Sequence, residues 1–354
     1  MGNSNIYSEI VYHINWQSVL QEWIKKYPSG KVFLATEENV DKLWISKNSS
    51  FFENQGIKKV VIPAGENNKK IGSVEMIWEF LSKNGADRKS VLINIGGGML
   101  TDLAGFAAST FKRGLDFINI PTTLLSQVDA SVGGKTGINF NGLKNEIGVF
   151  QEPVAVIVCT EFLKTIDQDN FISGFAEMIK HGLIHSPEHL KELKEFDTEN
   201  INYELLGEIV QHSVDVKSWF VANDPTEKNI RKALNFGHTV GHAFESLAME
   251  QNRPVLHGFA VAYGMIAELF LSVKKCGFPT SDFETLTDWL LKLYGKFEIK
   301  ESDFAQLFEL MTHDKKNEDG RINFTLLPDI GAIEINQNCD KELVYDTLYY
   351  FSQL

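Results

Sequence analysis

Cysteine is scarce in this chain. There are three, Cys159, Cys276 and Cys339, far apart and in no Cys-x-x-Cys pair. That excludes a disulfide framework and a zinc ribbon, and suits a reducing cytoplasm. Positive charge is also in deficit: 34 Lys and Arg face 47 Asp and Glu, a formal net charge of −13. Such a balance argues against nucleic acid or an anionic membrane as the main partner. No apolar run approaches the ~20 residues of a membrane span. The opening MGNSNIYSEI has no basic segment followed by an apolar one, and its sixth residue, Ile6, is not the Ser or Thr of a myristoylation signal. The expectation is a soluble, cytoplasmic protein.

What is present is ordinary globular material, 43% hydrophobic and 23% charged over 354 residues. That length suggests about two domains with sizeable cores. No internal repeat or low-complexity segment interrupts it.

The densest chemical signal runs from Val91 to Phe150. A buried-strand pattern, Val91 to Ile95, meets three glycines, Gly96 to Gly98, and then a helical run, Leu100 to Phe111, with Asp102 in its first turn. A strand, a glycine turn and a helix N-terminus form a phosphate cradle, because glycine admits the anion close to free backbone N–H groups. The spacing is not G-x-G-x-x-G, so a plain tight turn is the bland alternative. The next 35 or so residues add weight. They hold the strand Phe117 to Ile120, Pro121-Thr122-Thr123, Asp129, then Ser131 to Gly137 carrying Lys135, then Lys144-Asn145. Glycines beside lysines and hydroxyls suit a small, multiply anionic ligand.

Around this core the first ~165 residues alternate strand and helix, which predicts a mostly parallel sheet with helices on both faces. A strand from Ile6 to Tyr12 and a helix from Trp16 to Tyr27 come first. Lys31 to Ala35 is a strand; Thr36 reads as the N-cap of a following helix. Glu37 is a candidate for a ribose diol, or simply a solvated first-turn glutamate. Lys58 to Ile62 leads into Glu66 and Lys69, three residues apart, which read as a surface ion pair before a helix from about Ile71 to Asn84. Val154 to Val158 ends the series.

After about Thr165 the periodicity becomes helical: Phe171–Ile184, Tyr203–Ala222, Leu234–Met249, Val261–Cys276, Ser281–Tyr294 and Phe304–Met311. Only Ile322–Leu327 and Ile333–Ile335 look extended. The expectation is an α/β domain over residues 1–166 and a helical domain over 167–354. A charged cluster at Asp314, Lys315 and Lys316 marks a loop.

Asn235 to Glu245 reads as one helix. His238 and His242 are i,i+4 on one face, and Glu245 continues that face. The spacing permits zinc, but HTVGH has no glutamate after its first histidine, which disfavours an HExxH protease. His257 lies just before the next helix. Glu177 and Lys180 sit on an apolar helix, where ionised groups are costly unless paired or ligated. These residues point to a metal site drawing on some of Glu177, His238, His242 and His257. Lys217, Arg231 and Arg113, with Lys135, Lys144 and Lys180, are cations able to bracket a carboxylate and a phosphate.

Nine motifs in order, PAGENNKK, GGGMLTDLAGFAASTFKRG, IPTTLLSQVDASVGGKTGIN, GLKNEIGVF, FLKT, SGFAEMIKHGLI, LNFGHTVGHAFE, HGFAVAYGM and DKKNEDG, run from Pro63 to Gly320. They resemble the dehydroquinate synthase family of sugar-phosphate cyclases. The resemblance implies an NAD-binding α/β domain, a helical metal domain, an active site between them and a homodimer. It implies conversion of 3-deoxy-D-arabino-heptulosonate 7-phosphate to 3-dehydroquinate and phosphate, a step of the shikimate pathway. The steps are transient oxidation by NAD, phosphate elimination, return of the hydride, and aldol closure.

Carried over motif by motif, the resemblance makes Glu177, His238 and His257 the ligands of Zn2+ or Co2+, with His242 a hydrogen-bonding group. It places Glu37, Glu66, Lys69, Gly97, Gly98, Met99, Asp102, Thr122, Thr123, Lys135, Lys144, Phe162 and Thr165 at NAD. It places Asp129, Lys135, Asn145, Lys180, Lys217, Arg231, Asn235, His242 and Lys315 around the substrate, and sends Arg113 to the phosphate of a neighbouring subunit's substrate. The chain departs from the family pattern at Ala130, Asn170, Phe259 and Glu37. Rival readings are a cyclase acting on a sugar phosphate without a carboxylate, and a metal-dependent polyol dehydrogenase. Lys135, Asn145, Lys217, Arg231 and Lys315 together favour the carboxylate-bearing substrate.

Overall fold

The computed structural model describes residues 8–141, 143–312 and 322–354. They divide into two compact units, Met1–Asp167 with Asn202–Val214, and Gln168–Ile201 with Asp215–Leu354.

In the first unit, β-branched and aromatic runs make the strands. They are β1 (Glu9–Tyr12), β2 (Val32–Glu37), β3 (Lys58–Ile62), β4 (Val91–Gly96), β5 (Asp116–Pro121), β6 (Lys135–Phe140), β7 (Leu143–Phe150) and β8 (Ala155–Val158). Six of them form a sheet in the order β1-β8-β5-β4-β2-β3, with every pair parallel. The helices are α1 (Trp16–Ile24), the single turn α2 (Glu38–Val40), α3 (Ser49–Asn54), α4 (Ile71–Lys83) and α5 (Gly98–Thr110). Both faces of the sheet are covered, so β2 and β4 are buried throughout. Alternate residues serve the two cores. Val32, Leu34, Val91, Ile93 and Ile95 pack with Trp16, Leu20 and Phe162. Phe33, Ala35 and Leu92 pack with Val74, Ile77, Leu103 and Phe106 of α4 and α5.

The stretch around Lys135 and Lys144 is a hairpin, which the sequence pattern does not suggest. β6 and β7 pair antiparallel, Lys135 opposite Phe150 and Ile138 opposite Ile147. β7 is exposed along its length, so it lacks the apolar alternation by which a strand is recognised.

In the second unit the helices are α6 (Gln168–His185), α7 (Pro187–Glu195), α8 (Tyr203–Asn223, whose first half falls in the other unit), α9 (His238–Glu250), α10 (His257–Cys276), α11 (Thr280–Tyr294), α12 (Phe304–Thr312) and α13 (Lys341–Ser352). β9 (Asn323–Asp329) and β10 (Ala332–Asn338) form an antiparallel hairpin. Neither α7 nor α13 is among the helices expected from the sequence, though each buries one face at helical spacing. α7 is mostly charged, but Ser186 caps it by accepting from His189 N–H, and Pro187 opens it.

α6 is buried from Phe171 to Ile184 and is the hub of this unit. Glycines let its neighbours approach to backbone contact. A Cβ on Gly258 would lie 1.8 Å from the carbonyl oxygen of Ser173 on α6. A Cβ on Gly264 would lie 1.9 Å from the carbonyl oxygen of Gly237, and one on Gly241 would lie 2.8 Å from that of Ala260. These approaches bring α6, α9 and α10 together at one end.

Candidate functional site

Three candidate metal ligands converge within the second unit. Glu177 Oε1 on α6 lies 3.4 Å from His238 Nε2 on α9 and 3.6 Å from His257 Nε2 on α10. The three ligand atoms all fall within 4.8 Å of one another. Ligands about 2.0–2.1 Å from a tetrahedral Zn2+ sit roughly 3.4 Å apart, so the spacing fits a divalent cation. Glu177 Oε1 is buried and accepts no hydrogen bond, as suits an oxygen shaped to ligate. Its other oxygen, Oε2, accepts from Lys180 Nζ, and both side chains are buried. Burial alone would raise the Glu177 carboxyl, but Lys180, His257 and His181 hold it below the usual carboxylate range.

The two histidines are presented alike. Each is the first residue of its helix. His238 Nδ1 faces the carbonyl oxygen of Phe236 at 3.1 Å. A carbonyl only accepts, so Nδ1 carries the proton and Nε2 keeps its lone pair for a metal. His257 Nδ1 faces Glu245 Oε2 at 3.4 Å. Burial opposes a proton on His257, but the carboxylates of Glu177 and Glu245 beside it push its pKa up to about 9.

Two expectations about this stretch are corrected. Asn235 to Glu245 is not one helix. Asn235 ends a 3-10 stretch, Ile230–Asn235, and Gly237 takes a left-handed φ of 78° before α9 starts at His238. His257 is inside its helix, not before it. His242 stands beside both ligands, with ring centroids 5.3 Å from His238 and 5.9 Å from His257. It also makes a second trio of potential ligands with Glu245 and His257. The Glu177 trio is favoured because its carboxylate oxygen is otherwise unsatisfied.

The cations of this unit are built in. Arg231 and Lys217 are buried. Arg231 N–H donates to Asp224 Oδ2 at 3.2 Å, and its Nη1 donates to the Pro225 carbonyl at 2.9 Å. Asp224 also takes the N–H groups of Lys228 and Asn229, which fixes the loop after α8. Asn235 Nδ2 donates to Glu227 Oε1 at 3.0 Å. Asp224 and Glu227 carry no sequence signal as anchoring residues, because their partners meet them only in the folded loop; Glu245 is legible on the face of His238 and His242, but its contact with His257 is not. Lys315, with the 314–316 cluster, lies outside the described residues.

In the first unit β4 ends at Gly96, Gly97 precedes the helix, and α5 begins at Gly98 and Met99. The first intrahelical bonds are Leu100 N and Thr101 N to Gly97 O, so the N–H groups at the tip point along the helix axis. The turn is tightly bounded: Cβ atoms on Gly97 and Gly98 would lie 3.2 Å from Thr123 Cγ2 and 3.0 Å from Ala130 Cβ. Thr122 N–H donates to Gly96 O, and Thr123 Oγ1 donates to Ser126 Oγ. Asp129 lies in the following π-helical turn, Ser126–Ala130.

Asp102 sits in the second turn of α5 rather than the first. Lys69 pairs not with Glu66 but with Asp102, at 2.6 Å, and also donates to Asn145 Oδ1. The Lys69 side chain is buried and that of Asp102 half-buried, so this is a part-buried pair and not a surface one. Burial pushes the Asp102 carboxyl up against the pull of Lys69, with Glu66 and Asp129 adding to the rise. Glu66 instead accepts from Asn139 Nδ2 at 2.8 Å. Asn145 adopts a φ of 51° in β7, while Lys135 and Lys144 are exposed on the hairpin.

Thr36 is strand, not cap; its hydroxyl donates to Ile95 O. Glu37 is the cap, accepting from Asn39 N and Val40 N at 2.9 and 2.8 Å. Thr165 accepts from Trp44 Nε1 at 2.9 Å, and Phe162 meets the Trp44 ring edge-on at 4.7 Å. Arg113 follows α5 in a strained bend, with φ of 50° at Lys112, 69° at Arg113 and 110° at Gly114.

Family models for the N-terminal and C-terminal parts of 3-dehydroquinate synthase match residues 59–173 and 174–317. A 3-dehydroquinate synthase of Parabacteroides distasonis is 48% identical over 337 residues, 95% of this chain and 96% of that one. One from Streptococcus pneumoniae is 36% identical over 320 residues, 89% of each chain. Among solved structures, 2-epi-5-epi-valiolone synthase of Streptomyces hygroscopicus, with NAD+ and Zn2+ bound, superposes with a TM-score of 0.86 at 20% identity, covering 100% of this chain and 99% of that one. At that identity the likeness shows the fold, a parallel-sheet α/β unit and a helical unit. The two family models join at residue 173/174 and together account for most of the chain, which belongs to the 3-dehydroquinate synthase family of enzymes.

Proposed function

We propose that the protein converts 3-deoxy-D-arabino-heptulosonate 7-phosphate to 3-dehydroquinate and phosphate, with NAD and a divalent metal as cofactors, in the cytoplasm. The observation that carries this is the Glu177, His238 and His257 donor set, in a chain 48% identical to a named 3-dehydroquinate synthase over 95% of its length. The solved relative that holds both NAD+ and Zn2+ supports the cofactor pair.

We assign residues 1–166 to NAD and 167–354 to metal and substrate. NAD, held by the first set, would supply a reversible hydride acceptor for the substrate's C5, and a divalent metal, held by Glu177, His238 and His257, would supply the Lewis acidity that eases loss of the C5 hydroxyl proton. The chain's own residues do the rest. The N–H groups at Gly98 and Met99 and the ammonium of Lys69 receive the dinucleotide's phosphates. Asp102 keeps Lys69 aimed. Glu37, Glu66, Thr122, Thr123, Lys144, Phe162 and Thr165 complete the cofactor's surroundings.

Lys180 is held by Glu177 at the metal centre, so its cation is fixed before substrate arrives. Arg231 and Lys217 supply buried positive charge for the anionic substrate, and Asn235, oriented by Glu227, supplies a donor. His242 is a hydrogen-bonding group. Asp129, Lys135, Asn145 and Lys315 are assigned to the substrate by the family pattern. Once C5 is a carbonyl, the C6 proton is acidified. Loss of that proton with phosphate leaving from C7 conserves charge, and the phosphate's own oxygen is a base within reach.

We also take the working form to be a homodimer. Phe140, Leu143, Ile147, Val149 and Phe150 are exposed on the β6–β7 hairpin, an apolar strand edge that a monomer would normally blunt. Arg113, on its strained bend, is assigned to the partner's substrate phosphate. Light scattering on the purified protein tests the dimer.

The reaction is tested by following phosphate release and NADH absorbance together, with and without chelator. Stoichiometric phosphate without accumulating NADH, abolished by chelation and restored by Zn2+ or Co2+, is expected. Steady NADH from a polyol, without phosphate, would refute the reading.

A further inference from the structure

Glu245 has no part in the proposed reaction, yet its carboxylate is turned into the metal centre. It lies seven residues after His238 on α9, two turns along the same face, and is largely buried. Its Oε2 is 3.4 Å from His257 Nδ1, while Nε2 of the same ring faces Glu177 Oε1 at 3.6 Å. The ring is thus spanned by two carboxylates, one at each nitrogen. One ligates and the other accepts the proton that remains.

We propose that Glu245 is the positioning residue of the metal centre, fixing the tautomer of His257 and setting how tightly the centre holds its cation. The comparison with His238 sharpens this. There the same task falls to a backbone carbonyl, Phe236 O, which carries only a partial charge and cannot be altered by a side-chain change. At His257 it falls to an ionisable group, which makes the imidazole a stronger donor and adds a negative charge close to a divalent cation. Glu245 is therefore the adjustable half of the ligand shell. The competing arrangement is that Glu245 is itself a ligand, in the trio with His242 and His257. Against it stands Glu177 Oε1, a buried oxygen with no hydrogen bond that a centre built on Glu245 would leave uncompensated.

The inference rests on the metal-centre reading, and the test separates the two. The full-length protein is stripped of metal, and the Zn2+ dissociation constant is measured by competition with a chromophoric chelator. The wild type, Glu245→Gln, Glu245→Leu and Glu177→Gln are compared, with urea unfolding of each metal-free form as the check on folding. Leucine removes both acceptor and charge, and should weaken Zn2+ binding roughly 10- to 100-fold. Glutamine keeps an acceptor for the Nδ1 proton and should fall between leucine and wild type. Glu177→Gln should lose far more than either. With Co2+ in place of Zn2+, the Glu245 variants should keep the intense visible absorption of a four-coordinate site, shifted in wavelength.

Wild-type affinity in Glu245→Leu would overturn the proposal. So would a loss matching Glu177→Gln with collapse of the Co2+ absorption, which would make Glu245 a ligand. A wild type that binds no equivalent of Zn2+ would overturn the metal-centre reading itself, and this proposal with it.

Discussion

Gly258 and Ser173 touch backbone to backbone. The Gly258 N–H donates to Ser173 Oγ at 3.0 Å, and a Cβ at 258 would sit 1.8 Å from the Ser173 carbonyl oxygen. This contact lies one residue from His257 and four from Glu177, so it sets the distance between a candidate ligand on α10 and one on α6.

Gly258→Ala should therefore damage the metal centre out of proportion to the size of a methyl group. No rotamer relieves a Cβ that meets backbone, so α6 and α10 must part. A loss of several kcal/mol of stability is expected, at or beyond the ~1–3 kcal/mol usual for overpacking. Zn2+ binding should weaken as well. Chemical unfolding of the metal-free variant, paired with a chelator competition, checks both; unchanged values in each would show that the helices can slide.

Lys69 and Asp102 allow stability and cofactor binding to be pulled apart. Lys69→Met leaves the half-buried Asp102 without its cation and should cost about 1–3 kcal/mol. Adding Asp102→Leu removes the stranded carboxylate and should recover most of that loss. NAD binding should not recover, because the ammonium assigned to the dinucleotide phosphates is gone. Urea midpoints and NAD titration calorimetry on the single and double variants decide the matter. Joint recovery of both would remove Lys69 from the cofactor site.

Above neutral pH the metal-free protein gains a pH dependence from His257, where burial opposes the proton but Glu177 and Glu245 raise the pKa from 6.5 to about 9. The folded state binds that proton more tightly than the unfolded chain does. The stabilisation is fully present below pH 6.5 and is lost as pH rises toward 9. Metal binding runs the opposite way: the cation must displace the proton, so apparent affinity rises with pH across the same window, by up to about tenfold per unit. Melting temperatures and Zn2+ affinity, measured from about pH 6 to about pH 9.5, should show opposed trends.

Lys112 and Arg113 hold left-handed backbone, which costs a residue with a side chain about 1–2 kcal/mol. Lys112→Gly should therefore raise stability modestly, by about 0.5–1 kcal/mol, with little effect on turnover. Arg113→Gly should stabilise similarly while lowering activity, the mark of strain kept for function. Differential scanning calorimetry beside the phosphate-release assay measures both. A destabilised, fully active Arg113→Gly would contradict the assignment.

The sequence is legible where neighbours along the chain decide the structure. Val91 to Ile95, apolar but for Asn94, carries a buried-strand pattern, and the glycines after it fix the turn into α5. The face shared by His238, His242 and Glu245 is likewise helix geometry read directly. The choice among them is not readable from spacing. His238 joins His257 and Glu177 because Gly258, Gly264 and Gly241 allow three helices to touch, and the Gly258–Ser173 contact alone spans 85 residues of sequence. Lys69 illustrates the same limit: Glu66 is its neighbour in the chain, but Asp102 and Asn145 are its partners in space. β7 escapes notice for a simpler reason, since a strand exposed on both faces carries no pattern of burial.

α9 and α10 both start at a candidate ligand, but they run antiparallel: Gly237 lies against Gly264, Gly241 against Ala260 and Glu245 against His257. Their macrodipoles are therefore opposed and largely offset each other. The charge that a cation or a substrate oxygen meets at this spot is set by the side chains gathered there, Glu177, Lys180 and Glu245 with the three histidines, and not by the backbone of the helices that carry them.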